Sequence, residues 1–192
     1  MPIRSKIRSN RSASRSDAIS MLKKDHQTVR QLLARLEKTT ERSDRQREEL
    51  LNQIENEVKV HTTIEEEIFY PAYKDAVRSK SDKELYFEAI EEHHVVDLVM
   101  PEIKSTDPRS EEFRAKAKVL KDLIEHHADE EEKGMFPKAR KAMNAVELRE
   151  LGQELQQRKR QLLGQTSTRN VEFRLTRIAM GRSGRNKSRR AA

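Results

Sequence analysis

His61-Thr62-Thr63-Ile64-Glu65-Glu66-Glu67-Ile68-Phe69-Tyr70-Pro71 is answered 66 residues later by His127-Ala128-Asp129-Glu130-Glu131-Glu132-Lys133-Gly134-Met135-Phe136-Pro137. Both stretches read H-x-x-x-E-E-x-x-x-aromatic-P. Residues four apart share one face of a helix, so each stretch presents a histidine and a glutamate side by side. Two such pairs aimed at each other inside a bundle make a metal site of nitrogen and oxygen donors.

The repeat extends upstream of each motif. Lys24-Asp25-His26, followed by Val29, Leu32 and Leu33, matches Glu91-Glu92-His93, followed by Val96, Val99 and Met100. His26 and His93 are 67 residues apart and His61 and His127 are 66 apart, so two helical hairpins of one design differ by a single residue. Two hairpins of this kind predict an all-α fold, an up-down-up-down four-helix bundle.

A first helix is expected from Asp17, with Ile19, Leu22, His26, Val29, Leu33 and Leu36 in its apolar stripe. Ser43 or Asp44 caps a second, with Leu50, Ile54, Val58, His61, Glu65 and Ile68 on one face, and Pro71 is expected to kink or weaken its end. Ser81-Asp82-Lys83-Glu84 reads as a capping box opening a third helix, with Ile90, His93, Val96, Met100 and Ile103 inward and Pro101 disturbing the last turn. Thr106-Asp107-Pro108 predicts the fourth start, with Asp as N-cap and Pro in the first turn, ahead of Phe113, Ala117, Leu120, Ile124, His127 and Glu131. A short amphipathic helix is expected at 146–163, through Val146, Leu148, Leu151 and Leu155. The division is then a basic, disordered tail at 1–16, a metal-binding bundle at 17–145, the accessory helix at 146–163, and a basic, largely disordered tail at 164–192, with a transient helical turn at 173–180.

Composition supports this reading. Five glycines and five prolines in 192 residues are too few for a turn-rich β protein, and 38% charged residues suit the outside of a small bundle. The absence of cysteine removes disulfides and thiolate metal sites, so any ligands must be histidine and carboxylate. Neither a membrane-spanning apolar run nor a secretory leader is legible, which leads to the expectation of a cytoplasmic protein. The net charge of +7 is uneven. Residues 1–16 carry five Lys/Arg and no acid, and residues 158–192 carry eleven against Glu172 alone, so the body between them is net −8.

Four histidines, His26, His61, His93 and His127, and two carboxylates, Glu65 and Glu131, fall on predicted core faces. An unpaired buried ion costs several kcal/mol, roughly, and no inward Lys or Arg stands at these levels to offset it. A metal cation resolves the conflict; imidazole with carboxylate suits iron, zinc or manganese, and two carboxylates able to bridge suit two metals. The other glutamates of the acidic stretches 41–67 and 125–132 read as solvating surface.

The order H…H-x-x-x-E…H…H-x-x-x-E, with aromatic-Pro after each H-x-x-x-E, resembles the hemerythrin-like HHE cation-binding domain over about residues 17–145. The resemblance implies a non-haem di-iron centre of two oxo- or hydroxo-bridged iron ions. By it, His26, His61, His93 and His127 would be terminal ligands and Glu65 and Glu131 would bridge. Oxygen-carrying hemerythrins have a second histidine one turn after the third-helix ligand, where this chain has Asp97. Asp97 is expected either to ligate as a carboxylate or to leave that position to water. His94 and His126 are expected to be supporting or surface residues. The functions implied are binding or sensing of O2, NO or reactive oxygen species in a stress response. The alternatives are a di-iron enzyme that dismutates peroxide or handles NO, and an iron storage or response module. The small partner is then a diatomic ligand or peroxide. The basic tails, with Arg11, Arg15 and the cluster from Arg182 to Arg190, suggest non-specific nucleic acid as a second partner.

Overall fold

The computed structural model describes residues 17–164, and the two basic tails lie outside the described residues, as does the expected turn at 173–180. Among the described residues every regular element is helical. Helix α1 is Ala18–Glu37 and α2 is Asp44–Ile64. A π-helical turn, Glu65–Phe69, joins α2 to α3, Tyr70–Ala76. Helix α4 is Lys80–Ser105 and α5 is Glu111–Glu130, which continues through a second π turn, Glu131–Met135, into α6, Phe136–Ala142. Helix α7 occupies 145–164. The rods α1, α2–α3, α4 and α5–α6 pack around a square, each on its neighbours, with short connections that force alternating directions. This is the four-helix bundle the repeat predicts, with a fifth helix laid against it. None of the described helices is long and apolar enough to cross a membrane.

Local chemistry sets the helix ends. Asp17 caps α1 by accepting from the Ser20 N–H at 2.8 Å, and Arg140 holds the same carboxylate at 3.2 Å. Ser43 occupies the N-cap position of α2. The cap of α4 is Ser79, which accepts from the Asp82 N–H, so the helix starts two residues earlier than the Ser81 box suggests. Helix α5 is capped by Ser110, not Asp107. Asp107 accepts instead from the Arg109 N–H at 2.9 Å, and Pro108 sits in the turn that precedes the cap. That aspartate's local bond to the backbone competes with helix initiation and wins. Pro101 lies on an exposed face of α4, and the helix runs on to Ser105. Asn144 opens α7 with a reciprocal box: its Oδ1 accepts from Val146 and Glu147, while its own N–H donates to Glu147 Oε2.

The interior has two apolar clusters separated by a polar layer. The cluster toward the α1–α2 and α4–α5 connections holds Val29, Leu33, Leu50, Ile54, Val96, Met100, Phe113, Leu120 and Ile124 among others. Buried Arg47 closes that end: it donates to Thr39 Oγ1 and the Pro108 carbonyl, and its guanidinium stands 5.5 Å from the Phe113 ring centre. The opposite cluster holds Ile19, Leu22, Ile64, Phe69, Tyr70, Tyr73, Phe136 and Ala139, with Leu148 and Leu155 supplied by α7. Val146, expected in the apolar face of α7, is exposed, and Ile90 is only half-buried because Ala89 takes the inward position on α4.

Pro71 neither ends nor visibly weakens its rod. The π turn places the Tyr70 N–H on the Glu65 carbonyl, five residues back, and Phe136 pairs with Glu131 in the same way. Each extra residue widens the helix just ahead of a proline that has no N–H to donate, relieving the clash with the preceding turn. It also turns the inward face. Beyond Glu65 the buried side chains are Phe69, Tyr70 and Tyr73, while Ile68, expected inward, is only partly buried.

Candidate metal centre

The polar layer consists of the six predicted donors, and the structure brings all of them together. His26, His61, His93, His127, Glu65 and Glu131 are each at most 7% exposed. They form two overlapping groups, His26–His61–Glu65–Glu131 and Glu65–His93–His127, whose ligand atoms lie within 4.8 Å of one another. Glu65 reaches both sides: one oxygen is 3.2 Å from His61 Nε2, the other 3.6 Å from His93 Nε2. Glu131 Oε2 lies 3.1 Å from His26 Nε2 and 3.7 Å from His127 Nε2. Both carboxylates therefore stand between a His26–His61 pair and a His93–His127 pair. The ring centres within each pair are 4.7 and 4.6 Å apart.

Six of these atoms lack a hydrogen-bond partner within the protein. Both oxygens of Glu65, both of Glu131, and Nε2 of His26 and His61 are buried without a hydrogen bond. A buried carboxylate left unsatisfied is strongly destabilising, and a bound cation removes that cost for all of these atoms at once. The donor set thus fits a metal centre, and two shared carboxylates between two imidazole pairs fit two ions. In the metal-free protein, burial and the neighbouring Glu131 push the Glu65 carboxyl well above its ordinary range. Burial works the same way on Glu131, but the surrounding imidazoles, His26 first, outweigh it and hold Glu131 low. Burial lowers His61 to about 4 and lowers His93 as well, so both favour the neutral form that a metal requires.

Each imidazole is held from behind by a carboxylate on a neighbouring rod. His26 Nδ1 lies 3.0 Å from Glu132, His93 Nδ1 2.8 Å from Glu66, and His127 Nδ1 2.7 Å from Glu92. His61 Nδ1 is 3.8 Å from Asp25. This ring of carboxylates follows the repeat: the residue before each first histidine, and the second glutamate of each E-E, orient a ring on another helix. Glu66 and Glu132 are therefore not merely solvating surface. The E-E doublet and the acid-His doublet, each present twice, are the sequence signal for them.

The two halves differ in what backs the ring. Glu132 is paired with Arg30 at 2.7 Å and Asp25 with Lys159 of α7 at 2.8 Å. Glu66 and Glu92 have no Lys or Arg partner among the described residues. Aromatic stacking also differs. His26 lies on Phe136, while His93 lies on Tyr70, whose hydroxyl is 3.2 Å from His93 Nε2. Burial, with Glu131 and Glu65 nearby, raises the Tyr70 phenol well above its usual range and keeps it protonated. Tyr70 occupies the aromatic position of the motif, and only its hydroxyl distinguishes it from Phe136.

Three residues weighed from the sequence stay outside. Asp97 is exposed on α4 and contributes no donor to the centre, which removes the reading in which it ligates. The side chain of His94 is 63% exposed beside Glu91, and that of His126 is 64% exposed beside Glu92 and Glu130.

Similarity to known proteins follows the same lines. The chain is 28% identical over 149 residues to the uncharacterized protein Rv2633c of Mycobacterium tuberculosis, covering 77% of this chain and 88% of that one. A crystal structure of a Hemerythrin HHE cation binding domain-containing protein from Mycobacterium kansasii, a homologue of Rv2633c, superposes with a TM-score of 0.68 at 26% identity. That match covers 78% of this chain and 89% of the other. A DNA nickase of Nostoc is 26% identical over 125 residues, 65% of this chain, and the match spans only 34% of the nickase's length. A family profile described as Hemerythrin HHE cation binding domain matches residues 17–139, which takes in all four rods of the bundle and all six inward donors. A metal-binding bundle of this build, matched over most of its length, belongs to the Hemerythrin HHE cation-binding family.

Proposed function

We propose that the centre holds two non-haem iron ions and that the protein binds or senses O2, NO or a reactive oxygen species there. The observation that carries this reading is the placement of Glu65 and Glu131, each between two imidazole pairs with both oxygens unpartnered. His26 and His61 would hold one ion, His93 and His127 the other, with the two glutamates shared. Iron in such a donor set supplies reversible redox chemistry and affinity for diatomic molecules and peroxide. The chain's own part is to fix the imidazoles through the outer carboxylates, exclude bulk water with two apolar clusters, and present the Tyr70 hydroxyl as a hydrogen-bond donor beside His93.

That hydroxyl also favours the second reading, an enzyme that dismutates peroxide or handles NO, because it is a protonated donor inside the site. Metal analysis with an optical spectrum tests the centre, on protein from iron-replete cells. About two irons per chain are expected, with near-ultraviolet bands of a bridged pair. One zinc, or no metal, would sink the di-iron reading. Exposing the reduced protein to O2, NO and peroxide then separates a stable, reversible spectrum from sustained peroxide turnover.

A further inference from the structure

Outside the six donors, Glu92, His126 and Glu130 bring an imidazole nitrogen and two carboxylate oxygens within 4.8 Å of one another. His126 Nε2 is 3.6 Å from Glu92 Oε1 and 3.3 Å from Glu130 Oε1. A His–Glu pair four apart on a helix surface is commonplace and is not by itself a site. Here two further features join it to the interior. Glu92 faces both ways, with Oε1 toward exposed His126 and Oε2 at 2.7 Å from Nδ1 of buried His127. A cavity of about 10 Å3, enough for one water-sized species, is lined by Glu92 and Glu130 on its outer side and by His127 and Glu131 within. Glu131 is 2% exposed, and neither of its oxygens has a hydrogen bond, so a carboxylate without one lines the inner side of this cavity.

The other half of the repeat has no counterpart. The positions 66 residues before His126 and Glu130 are Val60 and Ile64, both buried, and Leu22 stands where the second half has Ala89 at the cavity wall. That side is also covered by α7, whose Leu155 packs in one cluster with Ile64 and whose Lys159 binds Asp25. Among the described residues, the surface donors and this cavity thus lie together in the second half of the repeat.

We propose that Glu92, His126 and Glu130 form a capture site for a first-row divalent cation on the outer side of this cavity, from which cations load the buried centre. One imidazole and two carboxylates suit Fe2+, Mn2+ or Zn2+, and their exposure keeps the site weak and exchanging. The negative charge of Glu92 and Glu130, continued inward by Glu131, focuses cations toward the opening. The capture half stands on this geometry alone, and the loading half rests on the di-metal reading of the buried centre.

The test compares the metal-loaded wild type with the double variant His126→Ala/Glu130→Gln, leaving Glu92 in place because it holds His127. Free Mn2+ is followed by electron paramagnetic resonance during a titration, and entry of isotopically labelled Fe2+ into the retained metal pool is followed anaerobically. The wild type should take up about one weakly bound Mn2+ more than the variant. Label entry should be on the order of ten-fold slower in the variant, with metal content per chain unchanged. Equal Mn2+ uptake would overturn the capture site, and equal exchange rates would overturn its role in loading. Failure of the di-metal reading shows separately, as no retained metal in either protein, and the Mn2+ titration still reads the capture site on those samples.

Discussion

At the scale of single residues, the centre is a set of buried polar groups whose desolvation a bound cation offsets. His61→Ala removes one imidazole and leaves Glu65 between His93, at 3.6 Å, and the like-charged Glu131. Retained metal should fall sharply, and chelation of the wild type should have a similar effect on stability. Ligand binding at a thousandfold above its dissociation constant contributes about 4 kcal/mol, or roughly 10 °C in melting temperature for a chain of this size. Asp97→Ala should do neither, because Asp97 is exposed, and a surface substitution of that kind changes stability by about 0.5 kcal/mol or less. Metal analysis and thermal melts of the three samples check this, and loss of metal in Asp97→Ala would restore the aspartate as a ligand. The six inward donors were legible because each lay on a predicted apolar stripe in duplicated order. The carboxylates behind them were harder to read. Asp25, Glu66, Glu92 and Glu132 look like ordinary surface acids in one dimension, and their use depends on which rod each faces.

Among the elements, helix starts were read from local motifs, and the misreadings were local too. Ser79 and Ser110 cap where Ser81 and Asp107 were expected, because a cap is decided by which side chain reaches a free N–H, and several polar residues stood close enough to compete. The π turns were invisible to a 3.6-residue period, although the repeated aromatic-Pro marks where they fall. Asp17 gives a direct test of a cap. Burial raises its carboxyl pKa, but the Ser20 N–H, the Ser20 hydroxyl and Arg140 together hold it below 3.8. A carboxyl lowered on folding stabilises above its unfolded pKa, and that contribution is lost as pH falls through the lower folded value. Asp17→Ala should therefore cost about 1 kcal/mol near neutral pH, with the difference from wild type shrinking below about pH 3.8. A pH-independent difference in denaturant melts would contradict it. Helix α7 offers a contrast between two cations. Lys159 binds Asp25 where both side chains are mostly buried, while Arg158 makes a more exposed, two-pronged contact with Glu67. Lys159→Ala should cost roughly 1–3 kcal/mol and Arg158→Ala less, despite its better geometry. Equal losses would mean that the buried setting of Lys159 adds nothing and that α7 docks through its apolar face.

For the whole molecule, the charge distribution separates the bundle from the ends of the chain. The outer carboxylates contribute to the net −8 of residues 17–157. Residues 1–16 carry +5 and residues 165–192 carry +7, while all six donors of the metal site stand on the described bundle. A polyanion is the partner that such charge would recognise. The tails hold few aromatics for stacking on bases, so binding would come from phosphate neutralisation and would be indifferent to sequence. The full chain should then bind duplex DNA at low salt. If about six phosphates are neutralised, affinity should drop by roughly three orders of magnitude between 50 and 200 mM salt. Removing 1–16 and 165–192 leaves the described bundle and α7 whole and reverses the sign of the net charge, so binding should disappear while metal content stays the same. Undiminished affinity in the truncated protein would locate DNA binding on the bundle, where the acidic surface gives no reason to expect it.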